Sequence, residues 1–484
     1  MKIPRFRHWL STWNVGPGRR LGLWRRLSAP QLFVGSFAAL IIAGTVGLRT
    51  LPGLYTGDRL GWLDALFTAT SAVCVTGLIV VDTATYFTTA GQAFLLLLIQ
   101  LGGLGIVTFT TVIILLLGRR VSLRQESVGG GSQLADVAPN VDFRHLTRDI
   151  IVFTLIIEAA GALLLYLAWA PRLGFDDAAW PALFHAISAF CNAGFSTFTD
   201  SLVGFNRSPF TLAVVMMLIV AGGIGFLTIE ELWVQRHQRR GQRRRDSDTL
   251  LPRLSLHSRL VLAVTGALIA GGWLFFTLYE WNVTLDGMPH YARLLNGLFM
   301  SVTARTAGFN TIDYGQASDG ANFLTILLMF IGGSPGSMAG GLKTTTVAVI
   351  GLLAWSRYRG RSTTDVMGRT IPDETIQRAV GLFVIAFGMV TLAIFIFTTT
   401  EIGAVSHVAA EAGFLRYMFE AVSAFNTVGL SMGVTPDLST AGRIVTIILM
   451  YLGRVGPLTF AAAIALRTVR RGRFRYAYED VVIG

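Results

Sequence analysis

Four glycines, Gly77, Gly194, Gly308 and Gly429, each close a short apolar segment of the same make, and they stand 117, 114 and 121 residues apart. The segments read Phe67-Thr-Ala-Thr-Ser-Ala-Val-Cys-Val-Thr-Gly77-Leu, Phe184-His-Ala-Ile-Ser-Ala-Phe-Cys-Asn-Ala-Gly194-Phe, Phe299-Met-Ser-Val-Thr-Ala-Arg-Thr-Ala-Gly308-Phe and Phe419-Glu-Ala-Val-Ser-Ala-Phe-Asn-Thr-Val-Gly429-Leu. Phe precedes Gly by ten positions in three copies and by nine in the third, whose local geometry the sequence leaves open. Glycine after a short helix lets the backbone take a positive φ that a Cβ penalises, which turns carbonyls inward. A ring of such carbonyls can replace the hydration shell of a cation. The helices are expected to aim their partially negative C-terminal ends at the same cavity, which favours positive charge. Covalent chemistry finds no comparable pattern. There is no phosphate loop, no catalytic triad and no His/Cys spacing for a metal, and Cys74 and Cys191 are too few for a disulfide framework. Glu158, Lys343 and Arg454, the polar candidates for a membrane-embedded enzyme, fall in different repeats.

The elements that must position these glycines can be read from composition. Of 484 residues 52% are hydrophobic and 14% charged, against roughly 25% charged in a soluble domain. Uncharged runs at 27–48, 83–118, 208–229, 260–279, 320–342 and 379–400, with 150–171 and 444–466 each interrupted once, predict eight spanning helices. The apolar segments ending at the four glycines are too short to span and are predicted to be re-entrant. The fold class is therefore all-α integral membrane, four pseudo-repeats of span, pore helix, filter loop and span around one central pore. Small-residue clusters come after each glycine: Gly102-Gly-Leu-Gly105, Gly222-Gly-Ile-Gly225, Gly332-Gly-Ser-Pro-Gly336 and Gly453-Arg-Val-Gly456. Close helix packing accounts well for the first two and poorly for the third.

The net charge of +12 is not a nucleic-acid signature, because its basic clusters recur after every second span, as the positive-inside rule requires. Both termini are expected in the cytoplasm. The expected organisation is a basic N-terminus (1–30), repeat 1 (31–118), a cytosolic loop (119–149), repeat 2 (150–233), a basic loop (234–258), repeat 3 (259–356) with an intramembrane loop (332–345), a loop (357–377), repeat 4 (378–467) and a tail (468–484). The basic start and first apolar run also look like a signal peptide, but that run is needed to complete the first repeat.

With those segments in place the chain resembles the Trk/Ktr/HKT superfamily of potassium transporters, from about residue 27 to the C-terminus. Thr76-Gly77-Leu78, Asn192-Ala193-Gly194-Phe195, Thr306-Ala307-Gly308-Phe309 and Thr427-Val428-Gly429-Leu430 look like its four filter loops. Phe330-Ile-Gly-Gly-Ser-Pro-Gly-Ser-Met-Ala-Gly-Gly-Leu-Lys343 looks like its intramembrane loop. The count of eight spans is most similar to the Ktr membrane subunits. The resemblance implies an ion-binding filter at Val75, Thr76, Gly77, Asn192, Ala193, Gly194, Thr306, Ala307, Gly308, Thr427, Val428 and Gly429, and a gate at Gly332, Gly333, Ser334, Gly336, Gly340, Gly341, Lys343 and Arg454. It implies potassium as the carried ion, with sodium as a possible coupling ion and no covalently bound cofactor. In the family, glycine rather than serine at position 77 goes with potassium over sodium; a sodium-conducting member of the same fold is the alternative. It further implies a homodimer and a cytosolic ring of nucleotide-binding regulatory subunits, with membrane lipids as the other partner.

Arg454 interrupts the last span, where a central charge costs roughly 3 kcal/mol or more. A constriction that repels cations and a buried structural partner are its two readings. The Gly/Ser-rich stretch 332–341 has little helix propensity, and Lys343 is positioned to anchor its end. Arg305 is expected to turn away from the pore and hold its loop. Asp82, Asp200 and Asp313, five or six residues past their glycines, either concentrate cations at the outer mouth or are ordinary solvated charges. For Glu158 the sequence names no partner. The run 236–245 and the ending 475–484, aromatic and apolar beyond its basic stretch, are expected to meet an acidic protein surface, lipid headgroups or a second copy.

Overall fold

Lipid offers no hydrogen-bond partners, so polar groups in a span must be satisfied within the protein. The computed structural model describes residues 29–105, 107, 143–242, 254–403 and 413–456. Its first helix meets that demand locally, with the Thr45 and Thr50 hydroxyls donating back to the carbonyls of Ile41 (2.8 Å) and Val46 (2.7 Å).

One sequence of elements recurs along the chain. α1 (Ala29–Thr50), α2 (Trp62–Val73) and α3 (Thr89–Gly105) come first. α4 (Phe143–Leu173), α5 (Phe175–Cys191), α6 (Pro209–Ile224) and α7 (Phe226–Gln242) come next. Then come α8 (Leu256–Glu280), α9 (His290–Thr303), α10 (Asp319–Phe330) and α11 (Thr344–Tyr358), and last α12 (Asp373–Phe397), α13 (Gly413–Phe425) and α14 (Thr440–Val455). Among the described residues, four helices are long and apolar enough to cross a membrane, and they fall on α1, α4, α8 and α12. The chain is thus a helical, multi-pass membrane protein.

The short helices α2, α5, α9 and α13 lie inside, and the phenylalanine that opens each repeated segment, Phe67, Phe184, Phe299 and Phe419, is fully buried. The helix after each filter loop packs on the next short helix in three cases, α6 on α9, α10 on α13 and α14 on α2, so the last repeat returns to the first. Arg443 on α14 closes that seam by an ion pair to Asp64 on α2 at 2.5 Å, and Tyr451 donates to the Val34 carbonyl of α1 at 2.7 Å.

Two expectations change. The run 208–229 is not one straight helix, because α6 and α7 are bent by 101° at Gly225, whose φ is +94°. The run 320–342 is helical only to Phe330, where the irregular stretch expected from its Gly/Ser content begins. The loop 357–377 is shorter, since a small hairpin (Asp365–Val366 with Arg369–Thr370) leads into α12 at Asp373. The N-terminal basic segment, most of 119–149, residues 243–253 and the C-terminal tail lie outside the described residues.

Candidate functional site

A one-residue difference in the third copy is absorbed immediately after its helix. In three repeats the residue before the glycine donates its N–H to the carbonyl five residues back: Thr76 to Ser71 (2.8 Å), Ala193 to Ser188 (2.7 Å) and Val428 to Ser423 (2.9 Å). In the third, Ala307 reaches back only four, to Thr303 (3.0 Å). The glycine therefore arrives at the same place by a turn one residue tighter. The hydroxyl at that helix position secures the loop in each repeat. Ser71 and Ser423 accept from the N–H of Gly77 and Gly429 (both 3.1 Å), whereas Ser188 and Thr303 donate to the carbonyls of Phe195 (2.8 Å) and Phe309 (2.5 Å).

The four loops share one backbone. Gly77, Gly194, Gly308 and Gly429 have φ of +94°, +70°, +82° and +90°, and the residues two before them, Val75, Asn192, Thr306 and Thr427, have φ of +56°, +59°, +68° and +50°. Left-handed backbone at a branched valine or threonine is costly for an L-residue, so its recurrence marks a conformation the surroundings impose. A Cβ added to each glycine would lie 3.2, 2.9, 3.3 and 3.1 Å from the Cα of the next in the order 77, 194, 308, 429 and back to 77. It would also fall against the carbonyl oxygen preceding that next glycine, on Ala193, Ala307, Val428 and Thr76 in turn. The four glycines thus form a closed ring with four carbonyls in the same layer. The buried hydroxyls of Thr76, Thr306 and Thr427 make no hydrogen bond with any described residue. Asn192, with its amide nitrogen turned toward them, donates to the carbonyls of Ala189 (3.0 Å) and Ile219 (3.2 Å), so its side chain faces its helix and not the ring.

The small-residue clusters divide by role. Gly102, Gly222 and Gly453 each press against the carbonyl four residues before a filter glycine, those of Val73, Phe190 and Phe425, leaving no room for a Cβ. The third cluster instead forms a loop, 331–343, lying against the fourth filter and the α6–α7 break. Leu342 N–H donates to Asn426 Oδ1 (3.3 Å), and a Cβ on Gly340 or Gly341 would collide with Thr427 or Asn426. Ser334 and Met338 donate to the carbonyls of Gly223 and Gly222 (both 3.0 Å), and Phe226 donates to that of Gly336 (3.0 Å). Gly332 donates to the Leu342 carbonyl (2.8 Å) and Thr344 to that of Gly333 (3.0 Å), which close the loop at its neck.

Three of the charged residues singled out by sequence, Arg454, Lys343 and Arg305, meet this loop. Arg454 is 3% exposed, donates to the Met338 carbonyl at 2.5 Å, and leaves Nε and Nη2 unpartnered among the described residues. Lys343 donates to the Ala339 carbonyl (2.6 Å). Arg305 turns away from the ring and bridges the carbonyls of Thr265 (3.3 Å) and Gly332 (3.4 Å). Glu158, left without a partner by sequence, accepts from Gln100 Nε2 (3.0 Å) and lies 3.8 Å from Cys191 Sγ, at the end of the second pore helix. Asp82 and Asp313 are loop-building groups. Asp82 accepts from Ala84 N–H (3.0 Å), Thr85 (2.8 Å) and Thr199 (2.8 Å), and Asp313 from Gly315 N–H (2.8 Å) and Gln316 (3.0 Å).

Sequence reasoning missed Glu280. It is buried and accepts from both the N–H (3.0 Å) and hydroxyl (2.5 Å) of Ser318, the cap of α10. Glu401 does the same for Ser439, the cap of α14, at 3.0 and 2.6 Å. Both pairs are 38 residues apart, a spacing that two copies of one repeat could have disclosed.

Comparison with known proteins agrees with this architecture. Residues 35–468 match the family described as TrkH, cation transport protein. The chain is 37% identical over 466 residues to the Ktr system potassium uptake protein B of Bacillus subtilis, covering 95% of this chain and 98% of that protein. It is 36% identical over 463 residues to the potassium/sodium uptake protein NtpJ of Enterococcus hirae, covering 95% and 98%. The crystal structure of the potassium transporter TrkH from Vibrio parahaemolyticus superposes with a TM-score of 0.70 over 93% of this chain and 87% of that one, at 18% identity.

Proposed function

The chain belongs to the TrkH family of cation transport proteins, is similar to Ktr membrane subunits and is not an enzyme; on that premise we propose that it carries potassium through a single filter at the ring of Gly77, Gly194, Gly308 and Gly429. The observation that carries this reading is the ring itself: four left-handed loops with the carbonyls of Thr76, Ala193, Ala307 and Val428 in one layer. Non-helical backbone at membrane depth is tolerated only where it is buried in protein or lines an aqueous cavity. Carbonyl oxygens there can replace the hydration shell of a cation, and potassium sheds its water more readily than sodium. The hydroxyls of Thr76, Thr306 and Thr427, without a hydrogen bond among the described residues, are further oxygens available to a hydrated ion.

In this reading the long helix and the post-filter helix of each repeat make eight spans with fourfold pseudosymmetry, in a bacterial inner membrane, with both termini and the basic loops inside. The loop 331–343 acts as the gate beneath the filter, held closed by Arg454 and Lys343. A homodimer docked on a cytosolic nucleotide-binding ring supplies regulation, and lipids cover the spans. The Enterococcus hirae relative is named for both ions, so the test measures both. Uptake of potassium and of sodium is followed in a potassium-transport-deficient cell expressing this chain. Rescue by potassium with little sodium uptake is the expected result. Sodium uptake without potassium uptake would overturn the choice of ion, and uptake of neither would overturn the transport reading.

A further inference from the structure

The residue after the repeated phenylalanine differs in every pore helix: Thr68, His185, Met300 and Glu420. In the second and fourth it is polar, fully buried, and reaches the serine two residues beyond the filter glycine. His185 Nε2 lies 2.9 Å from Ser196 Oγ, and Glu420 Oε2 lies 2.9 Å from Ser431 Oγ. Each serine oxygen also accepts from the backbone N–H two residues on, Phe198 (2.9 Å) and Gly433 (3.0 Å). The direction of the histidine contact is set by its other nitrogen. Nδ1 faces the Pro181 carbonyl at 2.8 Å, which can only accept, so Nδ1 carries the proton and Nε2 is a bare acceptor. Ser196 must therefore donate to His185, as Ser431 donates to the Glu420 carboxylate. Two chemically different side chains perform one task at one repeat position.

The other two repeats lack this contact. The first has Thr68, whose hydroxyl makes no hydrogen bond with any described residue, and apolar Ile79 at the serine position. The third has Met300 and Asn310, and Asn310 is tied instead through its backbone to Ser201 (3.3 Å) and Leu202 (3.0 Å). Since the loops succeed one another in chain order around the ring, the latched second and fourth face each other across it.

Resting on the potassium-pore reading, we propose that His185–Ser196 and Glu420–Ser431 are paired latches on opposite sides of the filter, and that these four are positioning residues for ion selection. A carbonyl ring contracts around a smaller ion only if its loops can move inward, and two opposed loops fastened to their helices resist that movement.

Ser196→Ala and Ser431→Ala remove the donor without adding volume. Each is expected to lower the ratio of potassium to sodium uptake about fivefold, the effect of one lost net hydrogen bond, and the double variant to lower it further. Glu420→Gln keeps an acceptor oxygen and is expected to hold the ratio, whereas Glu420→Leu loses it. A merely structural role lowers uptake of both ions in proportion to the protein in the membrane; an unchanged ratio in both alanine variants therefore overturns the proposal. So does a Glu420→Gln variant as unselective as Glu420→Leu. If a variant at one latch is not recovered, the other latch carries the same comparison. The unsubstituted chain is measured alongside, and its failure to take up potassium would sink the transport reading, not the latches.

Discussion

At the scale of single residues the ring of four glycines is a matter of missing Cβ atoms. Gly77 combines a φ of +94° with a neighbour, Ala193 O, that a side chain would strike. Gly77→Ser should reduce the potassium to sodium uptake ratio roughly tenfold, since a non-glycine residue in this region costs about 1–2 kcal/mol before any collision; an unchanged ratio would remove Gly77 from the filter. Gly453 is also intolerant, for a different reason. Its φ is not left-handed, but a Cβ there would fall on the Phe425 carbonyl at the end of the fourth pore helix. Gly453→Ala should therefore destabilise the fold by about 1–3 kcal/mol through overpacking, read as a lower thermal midpoint of the detergent-solubilised protein at unaltered ion preference. The glycines of both kinds were legible in sequence because glycine spacing survives in one dimension. The partners of Glu158 were not, because Gln100 and Cys191 lie 58 and 33 residues away and meet it only when three helices pack.

Among the elements, the loop 331–343 is irregular yet well tied by hydrogen bonds. Its backbone is shared between the α6–α7 break, the fourth filter turn and Arg454. Low helix propensity and Pro335 announced an irregular stretch there, but not its attachment to Gly222 and Gly223, a repeat's length of chain away. Nor did hydropathy disclose the bend at Gly225. An apolar run reads alike whether straight or folded by 101°, since the deciding contact, Phe226 N–H to Gly336 O, is made by backbone. If the loop is the barrier, deleting Ser334–Ala339 should raise the maximal uptake rate severalfold. On that reading Arg454→Gln should act in the same direction, because it would remove a buried positive charge from the barrier, where a unit charge acts on a cation far more strongly than in water. Both are read as initial uptake rates normalised to protein in the membrane. Loss of folded protein in both variants would make the loop a structural part and place the gate elsewhere.

For the whole molecule the governing quantity is the distribution of positive charge. About 30 of the 40 Lys/Arg fall in the five clusters assigned to the inner face, more than orientation alone demands. If both termini and the loop after α7 are inside, a cysteine placed at Arg240 is inaccessible to a charged thiol reagent applied to intact cells; labelling there would invert the orientation. The excess charge has two possible recipients. Anionic headgroups attract each nearby basic residue by about 1 kcal/mol, and this attraction is indifferent to the residues that lie beyond the charges in sequence. An acidic protein surface also uses them, but docking needs apolar area as well. The C-terminal ending Arg475-Tyr-Ala-Tyr-Glu-Asp-Val-Val-Ile-Gly484 supplies aromatic and branched residues immediately beyond the last basic cluster, with two acids that a lipid-binding tail would disfavour. The two recipients therefore separate by experiment. Truncation after Arg475 leaves every basic residue in place and should reduce recovery of the dimer or of a bound regulatory ring on size-exclusion chromatography. Replacing the arginines at 239, 240 and 243–245 by glutamine leaves the ending intact and should weaken association with anionic vesicles while the assembly persists. A truncated chain that elutes as a dimer, retains the ring and transports at the full rate would assign the tail no part in assembly.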